Sequence, residues 1–374
     1  MKSLNHIFRL GVKELRSLWA DKVLLIFLLV AFTALVYSGA KGTSRELHNA
    51  PMAVVDLDHS ALSKRIVGAF YGPYFKTPEI IAPGLVDPGL DEGRYTFVLD
   101  IPPNFQRDVL AGHRPALQVN IDATRMTQAF IGASYIQNIV AGEVSEFIRH
   151  QRREPELPIK LVTHVKYNPN LSGVWFGGMM EIIEQITLLS IILTGAALIR
   201  EREHGTIEHL LVMPLKPFEI MTAKVWANGL VILIATALSV RLVIQGLLQV
   251  PIAGSVALFL VGAALYLFST TSMGIFLGTL ARSMPQLGLL VILVILPLVL
   301  LSGAVTPRES MPQIVQTIMQ AAPTTHFVSL THAIIYRGAG FDVVWPQFVL
   351  LIGIGAVFFA AALFWFRRAI TLTE

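Results

Sequence analysis

The sequence predicts an α-helical membrane protein with six transmembrane helices, and one extracytoplasmic α/β (α+β) domain inserted between the first two. Three observations carry this expectation. Hydrophobic residues make up 54% of the 374 and charged residues only 14%, little more than half of the roughly 25% found in soluble domains. The apolar residues gather into six runs, each near the ~20 residues that about 30 Å of hydrocarbon requires. One long polar stretch, residues 41–178, alternates strand-like with helix-like segments and separates the first run from the second.

Residues 1–22 come first. Leu4, Ile7, Phe8, Leu15, Leu18 and Trp19 recur on one helical face, while Lys2, Arg9, Lys13, Arg16 and Lys22 fall mostly elsewhere. This pattern predicts a basic amphipathic helix at the membrane surface, leading into the first span at 23–40. The segment is too long and too charged for the n-region of a cleavable signal, so the run after it is expected to remain as a span.

Within 41–178, residues 51–56 and 95–100 read as strands, and 117–122 alternates apolar with polar as a strand with one wet face. Residues 60–70 read as a helix capped by Ser60. A second helix begins at Pro102, since proline suits a first turn, and a long one covers 124–153. Residues 159–165 read as a last strand.

The remaining runs are 179–199, 225–248, 256–280, 287–302 and 346–366, a bundle over 179–366. A cytoplasmic loop, 200–224, joins the second span to the third. An outer hairpin, 303–345, holds two short amphipathic helices at 312–319 and 327–336, the first with Ile314, Val315 and Ile318 on one face. Residues 367–374 form a cytoplasmic tail. Lys13, Arg16, Lys22, Arg200, Arg202, Lys216, Lys224, Arg282, Arg367 and Arg368 fall on one side of alternating spans, against Lys41, Arg45, Arg308 and Arg337 on the other. The positive-inside rule then puts both termini in the cytoplasm.

The net charge of +4 is accounted for by these span-flanking residues and implies no nucleic acid. Cysteine is absent, which excludes disulfides, thiol catalysis and Cys-ligated metals. The histidines show no H-E-x-x-H spacing, so no metal site is expected, and no G-x-S-x-G elbow supports a catalytic set.

The densest charge lies in Arg200-Glu201-Arg202-Glu203-His204-Gly205-Thr206-Ile207-Glu208-His209-Leu210-Leu211. Thr206 can cap a helix there, Glu208 complements its dipole, and Met213-Pro214 stops it. Two readings stand: a surface that meets charges on a partner, or a solvated loop that fixes topology. That stretch, with Pro214-Leu215-Lys216-Pro217-Phe218-Glu219, resembles the cytoplasmic loop of permease subunits in ABC-2 type exporters of the bacterial inner membrane. Asp56-Leu57-Asp58-His59-Ser60 and Ile101-Pro102-Pro103-Asn104-Phe105 resemble the same family's extracytoplasmic domain.

The resemblance implies docking of Arg200, Glu201, Arg202, Glu203, Gly205, Thr206 and Glu208 on an ABC ATPase subunit in trans. It also implies a second permease copy or paralogue, and an exported domain that gates the outer mouth or meets a periplasmic adaptor. The chain has no G-x-x-x-x-G-K-[ST] phosphate loop, and Leu171-Ser172-Gly173-Val174 and Leu301-Ser302-Gly303-Ala304 lack the rest of an ABC signature. It is thus expected to be non-catalytic, with no cofactor of its own and ATP–Mg on the partner.

Glu181 and Glu184 in the second span and Arg241 in the third are costly in hydrocarbon. They either line a translocation path or sit at the interface, with Arg241 snorkelling outward. A membrane-anchored enzyme using Glu181, Glu184 and His326, or a sensor acting through the extracytoplasmic domain, is the alternative class.

Overall fold

The computed structural model describes residues 2–42, 47, 49–122, 126–151, 166–167, 172–203, 215–304 and 308–371. The chain divides into a helical unit, Met1–Ser44 with Val165–Glu374, and a sheet unit, Arg45–His164.

In the helical unit, α1 is Lys2–Ala20 and α2 is Lys22–Gly42. Among the described residues, five helices are long and apolar enough to cross a membrane: α2, Gly173–Glu203, Pro217–Leu247, Val256–Leu280 and Phe341–Arg368. The apolar run expected at 287–302 forms a shorter helix, Met284–Leu300, of 17 residues, which spans only ~25 Å at 1.5 Å per residue. The third run begins at Pro217 rather than 225. Pro217 sits in the first turn and Glu219 accepts the Lys216 N–H at 3.0 Å, so the helix closes before the apolar run starts.

Between Gly173–Glu203 and Val256–Leu280 runs a seam of small and hydroxylated residues. Thr187 Oγ1 and the Tyr266 hydroxyl lie 2.5 Å apart, and Ser190 Oγ donates to Thr270 Oγ1 at 2.7 Å. A Cβ on Gly274 would come within 2.6 Å of the Ile191 carbonyl oxygen. Small residues let these backbones approach, and hydroxyls replace the hydrogen bonds that lipid cannot offer. α2 crosses the third long helix where Ser239 Oγ donates to the Phe32 carbonyl at 2.6 Å. Each helix carries a π-helical turn there, Ala31–Leu35 and Val240–Leu247.

The segment expected as an outer hairpin contains Gln313–Met319 and Pro323–Thr331, the latter running on as a π-helical turn to Tyr336. Ile314 and Ile318 are exposed, while Phe327 is buried and stacks on Tyr266 at 4.3 Å. The second helix starts before the expected 327 because Pro323 supplies its first turn.

Among the described residues, the sheet unit has four strands, β1 Met52–Asp56, β2 Glu79–Ile80, β3 Phe97–Ile101 and β4 Gln118–Ile121, in the order β2-β1-β3-β4. β1 is parallel to both neighbours and β4 is antiparallel to β3. Every residue of β1 is buried, as a central parallel strand requires. Ser60 caps the helix Ala61–Ala69, its oxygen accepting the Ser63 N–H at 3.1 Å. The helix expected from Pro102 begins at Phe105, because Asn104 before it is left-handed with φ 62°. Met126–Gln151 is the long helix. The strand expected at 159–165 lies outside the described residues.

In chain order, the helices after α2 and before the outer hairpin are α3 (Ala61–Ala69), α4 (Val86–Asp91), α5 (Phe105–Leu110), α6 (Met126–Gln151), α7 (Gly173–Glu203), α8 (Pro217–Leu247), α9 (Val256–Leu280) and α10 (Met284–Leu300).

Candidate functional site

α7 ends in four consecutive charges, and each reaches a different element. Successive helical residues point about 100° apart, so four of them sweep the whole circumference. Arg200 Nη1 lies 3.7 Å from Asp21 Oδ2, and Asp21 also caps α2 by accepting the Leu24 N–H at 3.0 Å. Glu201 Oε2 lies 2.9 Å from Lys224 Nζ on α8, and its Oε1 lies 3.4 Å from Lys13 Nζ on α1. Arg202 Nη1 donates to the Ala281 carbonyl at the end of α9, at 2.8 Å. Glu203 Oε1 accepts the Met284 N–H at the start of α10, at 3.3 Å. The last two contacts satisfy a helix-end carbonyl and a helix-start N–H that would otherwise lack partners, and each charge has the sign the helix dipole favours.

Lys224 is the centre of this hub. Only 1% of it is exposed, and it also donates to Glu14 Oε1 on α1 at 3.1 Å. A buried ammonium needs such partners, and the two carboxylates, Glu14 and Glu201, supply them.

α1 is held along its length by α8. Trp226 Nε1 donates to the Ile7 carbonyl at 3.3 Å, and the Phe8 and Trp226 rings are parallel with centroids 6.1 Å apart. Gly11 lies directly under the indole, where a Cβ would sit 2.5 Å from Nε1. His6 Nδ1 is 3.5 Å from Glu219 Oε2. The single apolar face expected for α1 is divided. Gly11 and Leu18 are buried, while Leu4, Phe8 and Trp19 are exposed on the adjoining side. The basic residues Arg9, Lys13 and Arg16 line the outside of the helix, with Arg9 and Lys13 reaching solvent.

The sequence reads Arg200, Glu201, Arg202 and Glu203 as one group, and in the structure each of the four also contacts another element of the chain itself. Gly205, Thr206 and Glu208 lie outside the described residues. Glu14 is not marked by the sequence, Glu219 is read only as the end of the loop string, and Lys224 only as a charge flanking a span. The available signal was a lone lysine in the first turns of an otherwise apolar helix, with an acid in the amphipathic helix to match it.

Glu181, Glu184 and Arg241 are not brought together. Among the described residues no ion pair joins Arg241 to either glutamate. Arg241 is exposed and its Nη1 donates to Gln245 Oε1 at 3.1 Å. Glu181 faces α2, where a Cβ on Gly39 would come within 2.6 Å of its Cγ. Glu184 instead lines an apolar groove of about 570 Å3 between α7 and α10, with Leu188, Ile192, Val291 and Ile295 among its walls.

At the hairpin, Tyr336 donates its hydroxyl to the Trp175 carbonyl at 2.8 Å and packs on Phe176 at 4.5 Å between centroids. Burial, with the Arg337 guanidinium nearby, lowers the His332 imidazole from the usual 6.5 to about 4.

Residues 22–364 match the model of a family described as ABC-2 family transporter protein. The chain is 60% identical over 370 residues to "Inner membrane transport permease YhhJ" of Escherichia coli (strain K12), covering 99% of each. It is 29% identical to "Probable multidrug ABC transporter permease YbhR" of the same organism, over 98% of this chain and 99% of that one. A third relative, "Probable multidrug ABC transporter permease YbhS", is 26% identical over 67% of this chain and 66% of its own length. A match over so much of the sequence, across the helices that build the hub, shows that the chain belongs to the ABC-2 family of transporter proteins.

Proposed function

We propose that this chain is the membrane subunit of an exporter driven by a separate ABC ATPase, which docks in trans on the segment joining α7 to α8. The family and the permease names of the relatives support a transport role. The hub carries the finer reading. The two ends of residues 204–216 are anchored at Glu203 and Pro217 in a framework that ties α1, α2, α7, α8, α9 and α10 together. A push on that segment would be delivered to all six helices as one body rather than dissipated in a slack loop. In this reading Arg200 to Glu203 are the footing, and Gly205, Thr206 and Glu208 form the contact surface.

The same proposal has α10 as a sixth crossing, with both termini and the 204–216 segment in the cytoplasm of a bacterial inner membrane and the sheet unit outside it. A pair of permease chains assembles with two ATPase domains, and the sheet unit gates the outer mouth or receives an adaptor. Of the three charged residues weighed for the path, Glu184 is the one assigned to it, since it borders an open groove.

The decisive experiment uses the absence of native cysteine. Thr206→Cys, carrying a photoactivatable cross-linker in native membranes, should capture a polypeptide that mass spectrometry identifies as an ABC ATPase with a phosphate loop. Capture of lipid or of this chain alone, with no ATPase, would reduce the segment to a topology signal.

A further inference from the structure

A cavity separate from the hub lies within the sheet unit. α6 presents Ile136, Val140 and Val144 at helical spacing, and Phe105 of α5 with Leu117 and Val119 of the β4 segment completes an apolar pocket of about 720 Å3. Small-molecule sites run from ~300 to 1,000 Å3 and join an apolar body to a few polar groups at fixed positions. Here the polar groups come from one loop. Gly112, left-handed at φ 81°, turns the chain so that His113 and Arg114 border the pocket.

The other arginines of this region are already engaged. Arg65 pairs with Glu143 and Glu146 on α6, and Arg107 pairs with Asp108. Among the described residues Arg114 has no carboxylate within ion-pair distance, and His113 stands 4.0 Å from Asp108. An apolar cavity with an unneutralised guanidinium at its edge is complementary to an apolar molecule with one anionic end.

We propose that this pocket binds a free amphiphilic anion, with its alkyl or fused-ring body against α6 and its carboxylate or sulfonate on Arg114. The site belongs to the sheet unit alone and does not depend on the transport reading.

The test uses the full chain in lipid nanodiscs, which expose both faces, with laurate as the probe. Ala141→Cys places a thiol on the pocket wall, and Ser134→Cys places one on α6 away from the pocket lining. Laurate should slow maleimide labelling at position 141 by about tenfold and leave position 134 unchanged. Dodecyltrimethylammonium, with a cationic head, should protect neither. Adding Arg114→Glu should weaken the laurate protection by about tenfold, the cost of losing one charge-assisted contact. Equal protection by both amphiphiles, or none by laurate, would overturn the proposal. A disulfide between two copies of the Ala141→Cys chain would also overturn it, by assigning the groove to a second copy.

Discussion

Replacing Lys224 by methionine removes the centre of the hub while keeping a long apolar stem. The ammonium lies 2.9 Å from one Glu201 oxygen and 3.1 Å from a Glu14 oxygen. At an effective dielectric of 20, each attraction is about 5–6 kcal/mol before desolvation is counted. Desolvation offsets most of that, and breaking a buried pair by removing one partner costs about 3–5 kcal/mol, because the remaining charges stay buried and uncompensated. Two carboxylates would remain, 12% and 14% exposed. Lys13, half exposed and 3.4 Å from Glu201, relieves part of this, so the expected loss for Lys224→Met is near the lower end, about 3 kcal/mol. The companion variant Lys224→Met with Glu14→Gln and Glu201→Gln should recover at least half of it, since a neutral set carries no stranded charge. The assay is reversible unfolding of the purified chain in mixed micelles, followed by circular dichroism. A single variant within about 0.5 kcal/mol of the parent, the range of ordinary surface changes, would show that Lys224 is solvated and does not tie α1 and α7 to α8. A triple variant worse than the single would refute the buried-charge reasoning even if the single loss is as expected.

Other contacts give four more expected outcomes. Gly11→Leu should loosen α1 from α8 at a cost of about 1–3 kcal/mol, as overpacking does, and expose Trp226, seen as a red shift in its emission; an unshifted spectrum would mean that α1 does not rest on the indole. Arg241→Gln should change stability by less than about 0.5 kcal/mol, because only Gln245 is lost as a partner, and a larger loss in the same unfolding assay would restore the paired reading. Acidification should destabilise the parent more than His332→Phe. The folded imidazole, at about 4, binds fewer protons than the unfolded one at 6.5, so the stability it contributes is present above pH ~6.5 and lost as pH falls towards 4; parallel pH profiles for the two chains between those limits would contradict this. Finally, Arg94→Cys and Gly205→Cys should be labelled from opposite faces of the membrane in intact cells, and labelling of both from outside would contradict the proposed topology.

The helical architecture was readable in the sequence because an apolar run near 20 residues has few other physical uses, and five such runs became long helices. The Ser60 cap was readable because its hydrogen bond closes over three residues. The buried ion pairs are not legible in the sequence because the partners lie far along the chain. Lys224 and Glu14 are 210 positions apart, and no periodicity marks such a pair. The amphipathic pattern of α1 was visible, but its division into a face on α8 and an exposed face required Trp226 to be in place. β2, two residues long, has too few positions to show alternation. Most consequential, the charges Arg200 to Glu203 were legible as a cluster while their direction was not. A sequence shows that charges are adjacent, and only packing shows whether they face a partner or each other's neighbours. Reversing Glu201 is therefore a poor probe of docking, since it would place a cation beside Lys224.

The end of α7 behaves as a rotational key. Inserting one alanine between Ala197 and Leu198 would leave composition, charge and hydropathy almost unchanged, yet turn every later residue by about 100° and lift it 1.5 Å. Arg200 would swing off Asp21, Glu201 off Lys224, Arg202 off Ala281 and Glu203 off Met284, with each charge offered to a neighbour's partner instead of its own. Substitutions can be accommodated there one contact at a time, but a change of length cannot. The angular phase of α7 is thus set at its charged end, and it reaches along the same rigid helix to Glu181 and Glu184, fixing which of the two faces α2 and which faces the groove.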